Sequence, residues 1–131
     1  MGEEALVESQ IADSISLVQA LESQGDKPSA VAWYYFPDAD EWRLLIAGSS
    51  FDALLPREEA RAYQRIAEAL AKAQLSSLSI GEVKVVRTDY PLLNATRLLL
   101  RTGPNAVVRA HFRDNRINGV FIKEMLVLRS A

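Results

Sequence analysis

The length, composition and charge of the chain limit what it can be. Its 131 residues, of which 49% are hydrophobic, are enough for one domain with its own core, and we expect a single domain over residues 1–131. The absence of Cys excludes disulfides, thiolate metal sites and a Cys nucleophile. The N-terminal sequence is acidic and lacks the regions of a signal peptide, and no apolar run reaches the length of a membrane span. We therefore expect a cytoplasmic protein with no membrane partner.

The two parts of the chain differ in charge, although the formal net charge is only −2. Residues 1–81 contain 6 Lys or Arg and 13 Asp or Glu, whereas residues 82–131 contain 9 and 4. Such a division can mark a surface that faces anions. The alternative is that acidic helices and basic strands pair with each other, which would leave no basic patch.

The chain begins with a helical pattern followed by a hairpin pattern. Apolar residues recur at steps of three and four over residues 3–24, which predicts an amphipathic helix that ends at Gly25. Two dense apolar runs then flank a polar break at residues 37–41, which predicts a β-hairpin with a five-residue loop. Both faces of the first strand of this hairpin are apolar, so we expect both faces of the sheet to be covered.

Five further elements follow the hairpin. They are predicted, in order, as a helix, a strand, a short helix, a strand and a closing strand over residues 56–74, 82–87, 89–103, 106–112 and 120–129. The segment 89–103 could be a strand, but its leucines fit a helical period better than alternation. Residues 114–119 predict a turn. The order α-ββ-α-β-α-ββ predicts an α+β domain with a largely antiparallel sheet of about five strands covered by helices.

The sequence offers little for catalysis. His111 is the only histidine, which excludes a multi-histidine metal site, and no phosphate-binding or nucleophile-elbow motif is present. Carboxylates are densest at residues 38–41, where they could hold Mg²⁺ or Ca²⁺, although Asp is also the usual residue of turns. We expect no cofactor and no catalysis. The residues that a metal ion would use are Asp38, Asp40 and Glu82.

Two short segments match a nuclease pattern. Pro37-Asp38 and Glu82-Val83-Lys84 resemble the P-D…(D/E)-x-K pattern of a superfamily of metal-dependent nucleases. The resemblance implies that Asp38 and Glu82 bind the metal and that Lys84 orients the attacking water. It covers five residues, and a whole predicted helix separates two halves that the superfamily usually places on consecutive strands. A metal-dependent hydrolase is therefore our third hypothesis.

A basic surface is the second functional hypothesis. Its candidate residues are Arg97, Arg101, Arg109, His111, Arg113 and Arg116. Guanidinium groups gathered on one side suit phosphates, which would make the chain a nucleic-acid or phosphate-ligand binding protein. The sequence pI of about 5.4 and the lack of a nucleic-acid-binding motif count against it. The alternative is a solvated sheet edge, or pairing with the first helix.

Our first hypothesis is a non-catalytic interaction module. A helix with a broad apolar face, beside a sheet that is apolar on both faces, presents more hydrophobic area than one small domain easily covers. This predicts a homodimer, or binding to another protein. The residues expected to carry the interface are Val7, Ile11, Ile15, Val18, Trp33 and Tyr35.

Overall fold

A five-stranded sheet organises the chain in the computed structural model, which describes residues 6–131. The strands are β1 Ala30–Phe36, β2 Glu41–Ala47, β3 Val83–Val85, β4 Ala110–Ile117 and β5 Val120–Ser130. Their order across the sheet is β3-β2-β1-β5-β4, and only the β2–β3 pair is parallel. The predicted fold class, an α+β domain with a largely antiparallel sheet, is confirmed.

Helices cover both faces of this sheet, as the apolar faces of the hairpin predicted. They are α1 Glu8–Ser23, α2 Ser49–Asp52, α3 Glu59–Ala73 and α4 Pro91–Leu99, with a 3₁₀ turn at Ile80–Glu82. Helices α1 and α3 pack on one face, and α4 packs on the other. No helix within residues 6–131 is both long and apolar enough to cross a membrane.

The central strand β1 contributes side chains to both hydrophobic cores, one on each face of the sheet. Its alternate side chains point to opposite faces, so Val31 and Trp33 lie in the core under α1 and α3. Ala32 and Tyr34 lie in the second core, under α4. Because β1 is paired on both sides along most of its length, the hairpin is the centre of the fold.

Strand β4 and its turn are where the prediction was wrong. We predicted a strand over residues 106–112 and a turn over 114–119, but β4 continues to Ile117. Asp114 takes a φ of 54° inside the strand, and pairing with β5 resumes at Asn115, opposite Ile122. The polar residues on either side of Asp114 are therefore extended because β5 lies beside them. The predicted start at residue 106 is also wrong, since β4 begins at Ala110. The turn itself is reduced to Asn118-Gly119, both with positive φ, as a tight hairpin requires.

Several element boundaries also differ from the prediction. Helix α1 begins at Glu8; the start predicted for it at residue 3 lies outside the described residues. Helix α3 begins at Glu59 rather than at Pro56, and the short helix α2 with its fully buried Phe51 and the turns at residues 53–58 come before it. The hairpin loop is one residue shorter than predicted, since Glu41 already pairs with β1. The segment 89–103 is helical at Pro91–Leu99, as its leucine period indicated.

Candidate functional site

The residues predicted to form an interaction surface lie at very different depths. In order along the chain they are Val7, Ile11, Ile15, Val18, Trp33 and Tyr35. The first is exposed, the next two are half-buried against the first core, and the last three are buried. Trp33 lies on the central strand, and its Nε1 donates a hydrogen bond to Ser14 Oγ at 3.1 Å. We therefore assign the last three residues to the core of this chain and not to its surface.

Part of the predicted basic surface pairs with acidic groups of the same chain. Arg109 Nη2 lies 2.8 Å from Glu8 Oε2 at the start of α1. On the outermost strand, β4, His111 Nε2 and Arg113 Nη2 lie 2.7 and 2.9 Å from the same atom, Glu124 Oε2. Arg109 thus pairs with the first helix, which was one alternative, while His111 and Arg113 pair with a residue of the neighbouring strand β5.

These contacts also shift the pKa values of the groups involved. The hydrogen bond from Arg109 holds the pKa of Glu8 below its usual value, and the same bond raises the pKa of Arg109. Burial pushes the pKa of Glu124 upward, but hydrogen bonds and charge from Arg113 and His111 together outweigh it, so the pKa is lowered. Part of the positive charge along this edge is therefore offset within the chain.

The other basic candidates do not converge with these. Arg97 lies on α4, over the opposite face of the sheet from α1, where its Nη2 donates to the Thr88 carbonyl at 2.9 Å. Arg101 is exposed beyond the end of α4. Arg116 places its guanidinium 5.5 Å from the centre of the Phe121 ring. The six residues are thus divided between two sides of the fold and do not form one phosphate-binding face.

The predicted metal residues do not converge either. The Tyr35 hydroxyl donates to Asp40, which shapes the hairpin loop. Glu82 accepts hydrogen bonds from Gln10 at 2.8 Å and from the Ser79 amide at 3.0 Å. Within residues 6–131, no group of three or more His, Asp or Glu side chains could hold a metal ion. Asp38 lies in the hairpin loop and Glu82 in the 3₁₀ turn, so the two halves of the nuclease-like pattern do not lie on consecutive strands of one hairpin.

An open cavity of about 420 Å³, which the sequence did not reveal, lies between the hairpin loop, the start of α4 and the start of β5. We call it the aromatic cavity. Its walls are Tyr34, Phe36, Pro37, Asp38, Tyr90, Pro91, Leu92, Val120 and Phe121. Four of these nine residues carry aromatic rings, and Phe121 is 41% exposed at the rim.

The fold brings the four rings together from three separate segments. Alternation along β1 places Tyr34 and Phe36 on the same side, with perpendicular rings whose centroids lie 4.6 Å apart. The Tyr34 hydroxyl donates to the Phe121 carbonyl at 3.2 Å, which ties β1 to the start of β5. Tyr90 precedes α4, and its carbonyl accepts the amides of Leu93 and Asn94. The side chains of this cavity are thus held by the sheet and by a helix start.

Tyr34 is the titratable group most affected by this arrangement. Burial raises its pKa above the usual value, and the nearby Tyr90 and Asp38 raise it further. The phenol therefore stays neutral and remains a hydrogen-bond donor at physiological pH. It is not suited to act as a general base near neutral pH, since that role needs a pKa close to the working pH.

A second cavity of about 420 Å³ lies on the other side of Tyr90 and Pro91. It is lined in part by Glu59, Lys84, Arg87 and Asp89. Both signs of charge are present, and Arg87 Nε lies 3.3 Å from Asp89 Oδ1. Opposite charges at this short distance partly cancel, so this cavity offers a ligand less defined chemistry than the aromatic cavity.

The aromatic cavity is equipped for binding and not for covalent chemistry. Among residues 6–131, those that line it include no Ser, Thr, His, Lys or Arg, and its polar side chains are two phenols and one carboxylate. Aromatic walls with a few polar groups are typical of ligand sites. Comparison of the chain with protein-family models, curated proteins and solved structures finds no match.

Proposed function

We propose that the chain is a non-catalytic binding module and that the aromatic cavity is its ligand site. The observation that carries the proposal is the convergence of four aromatic rings around a cavity of about 420 Å³. Ligand sites usually measure about 300–1,000 Å³ and are lined mainly by apolar and aromatic side chains. Tyr34 and Phe36 lie on the central strand and Phe121 on β5, so little ordering of these rings is needed when a ligand enters.

An NMR titration of the full chain tests this proposal. The ligands are a panel of small cationic, anionic and neutral aromatic compounds, together with short DNA and RNA oligonucleotides. We expect a small-molecule ligand to shift the backbone amide signals of Tyr34, Tyr90 and Phe121. The variant Phe121→Ala should weaken that binding, because it removes one ring from the rim. Leu98→Ala is the matched control, since Leu98 is 64% exposed and lies outside the cavity.

Two results would count against this assignment. If no compound shifts the signals of the cavity, the cavity is not a ligand site. If the oligonucleotides shift the signals of His111, Arg113 and Arg116 instead, the chain is a nucleic-acid-binding protein. We rank that function second because these side chains are exposed on an outermost strand, yet two of them pair with Glu124.

Self-association remains part of the proposed function, with a smaller interface than the sequence suggested. The hydrogen bond between Gln10 and Glu82 holds the start of α1 beside the 3₁₀ turn. Val7 and Ile80, each within one turn of these residues, are 49% and 40% exposed. Exposed apolar side chains such as these favour contact with a second copy of the chain.

We therefore predict a homodimer that the double variant Val7→Ser/Ile80→Ser converts to a monomer. Light scattering at micromolar to high-micromolar concentrations measures the mass of each variant. Leu98→Ser, which changes an exposed leucine elsewhere on the surface, should leave the dimer intact. A monomer mass for the unchanged chain over the whole concentration range would exclude self-association.

A further inference from the structure

We infer that the aromatic cavity binds a substituted ammonium group, with Asp38 as the opposing charge. The inference rests on the proposed function, because it names the class of ligand for the same site. The group could be carried by a small organic cation or by a methylated lysine side chain. Both sources present the same chemistry to the cavity.

The aromatic walls favour a cation. The face of an aromatic ring is electron-rich, and a cation within about 6 Å of the ring centroid is attracted to it. Tyr34 and Phe36 stand perpendicular, with centroids 4.6 Å apart, and Tyr90 and Phe121 also line the space. The Arg116 guanidinium already lies 5.5 Å from the centre of the Phe121 ring, so the rings that favour a ligand cation are above all Tyr34, Phe36 and Tyr90.

The charge of the cavity favours a cation as well. Asp38 is the one charged side chain among the described residues that line it. The negative charge of Asp38 and the nearby Tyr90 both act to keep Tyr34 un-ionised, in addition to the effect of burial. Of these influences only the negative charge of Asp38 attracts a cation, because burial disfavours a charge of either sign. No guanidinium, ammonium or imidazolium group among the lining residues offsets that negative charge.

The start of α4 does not make the cavity an anion site. A helix N-terminus binds anions through amide groups that have no partner inside the helix. Here Pro91, the first residue of α4, has no N–H. The amides of Leu93 and Asn94 both donate to the Tyr90 carbonyl, at 2.9 and 3.0 Å. Most of the donors that an anion would need are therefore missing or already bonded.

The lining residues fit a methylated ammonium group better than a primary one. A primary ammonium has three N–H donors, and each needs an acceptor when it is buried. The side-chain acceptors here are the Asp38 carboxylate and the hydroxyl oxygens of Tyr34 and Tyr90, and Tyr34 can still accept although its hydrogen goes to the Phe121 carbonyl. Most of the remaining wall is apolar and offers an N–H donor no partner. Methyl groups instead contact apolar walls such as Leu92 and Val120. A quaternary ammonium combines the charge that Asp38 favours with the apolar surface that the rings favour.

The test is an NMR titration of the full chain with choline chloride, with NaCl used to hold the ionic strength constant. The neutral compound 3,3-dimethylbutan-1-ol has the same shape as choline without its charge. We expect choline to bind at the cavity about tenfold or more tightly than this alcohol. Tyr90→Leu, which keeps an apolar side chain but removes the ring, should weaken choline binding about two- to thirtyfold.

Asp38→Asn tests the contribution of the negative charge. Because Asp38 is exposed on the hairpin loop, this variant should fold even if Tyr90→Leu does not. It should weaken choline binding several-fold and leave binding of the alcohol unchanged. Asp114→Asn is the matched control. It removes the same charge outside the cavity, at a position with positive φ that asparagine tolerates. This control should bind choline as the unchanged chain does.

The outcomes separate this inference from the proposed function. If the alcohol binds as tightly as choline, or if other panel compounds bind at the cavity while choline does not, the ammonium inference is wrong and the ligand site stands. If nothing binds at the cavity, both are wrong. A peptide that contains trimethyllysine distinguishes the two sources. Binding tighter than that of choline indicates a lysine side chain, and weaker binding indicates a small organic cation.

Discussion

Replacement of Arg129 by leucine should lower the free energy of unfolding by about 2–6 kcal/mol, because two carbonyl groups lose their donors and each unpaired buried polar group costs about 1–3 kcal/mol. The Arg129 side chain is 1% exposed, near the end of β5. Its Nε donates to the Ala106 carbonyl at 2.8 Å and its Nη1 to the Pro28 carbonyl at 2.9 Å. Nη2 lies 2.9 Å from Glu22 Oε2 near the end of α1.

The size of this effect follows from what leucine leaves behind. Two carbonyl groups beside a buried side chain lose their donors, and an unpaired buried polar group costs about 1–3 kcal/mol. Glu22 also loses its partner. Unfolding in urea measures the change, with Arg116→Leu as the control, because Arg116 is exposed on β4 and its loss should cost less than about 1 kcal/mol. A loss at Arg129 as small as that of the control would contradict the structure.

Trp33→Ala should lower the free energy of unfolding by a similar amount, about 3–5 kcal/mol. Trp33 is fully buried on the central strand, where it packs under α1 and α3. Alanine leaves a cavity there and also removes the hydrogen bond to Ser14. Ser14 keeps its own bond to the Ile11 carbonyl at 2.7 Å, so it is not left without a partner. Most of the cost therefore comes from lost packing.

This variant also distinguishes a core residue from an interface residue. We first expected Trp33 to carry an interface, and in that case Trp33→Ala would change the oligomeric mass and leave the stability of the chain nearly unchanged. If Trp33 belongs to the core, urea unfolding shows the large loss. Trp33→Phe, which keeps an aromatic ring of smaller size, should lose less. Equal stability of Trp33→Ala and the unchanged chain would contradict the assignment to the core.

The comparison of sequence and structure shows where local patterns are sufficient. The existence of the hairpin was predictable because alternation and turn residues are local. Its register was not, because Glu41, predicted to lie in the loop, pairs with Phe36. Strand β4 was not, because Asp114 and its polar neighbours are typical of a turn. Its neighbours on either side are extended through pairing with β5, where Arg113 lies opposite Glu124, whereas Asp114 itself takes a positive φ. That pairing depends on the neighbouring strand and not on the sequence of β4.

The aromatic cavity was even less predictable from local sequence patterns. Alternation predicts that Tyr34 and Phe36 share a face, and this is visible in the sequence. That Phe121 lies beside them depends on β5 pairing with β1, across a separation of 87 residues from Tyr34. The sequence does not distinguish Arg129 from any other basic residue at the end of a strand. It is buried through contacts with Ala106, Pro28 and Glu22, which lie on two loops and a helix. Chain topology therefore determines both features.

The central claim, that the aromatic cavity is where this chain binds its ligand, is tested most directly by NMR contacts between a bound cation and the protein. Choline at saturating concentration is the probe. The structure predicts nuclear Overhauser effects between its N-methyl protons and ring protons of Tyr34, Tyr90 and Phe121. Effects confined to side chains of β4, or no effects to these rings when choline is bound, would contradict the claim.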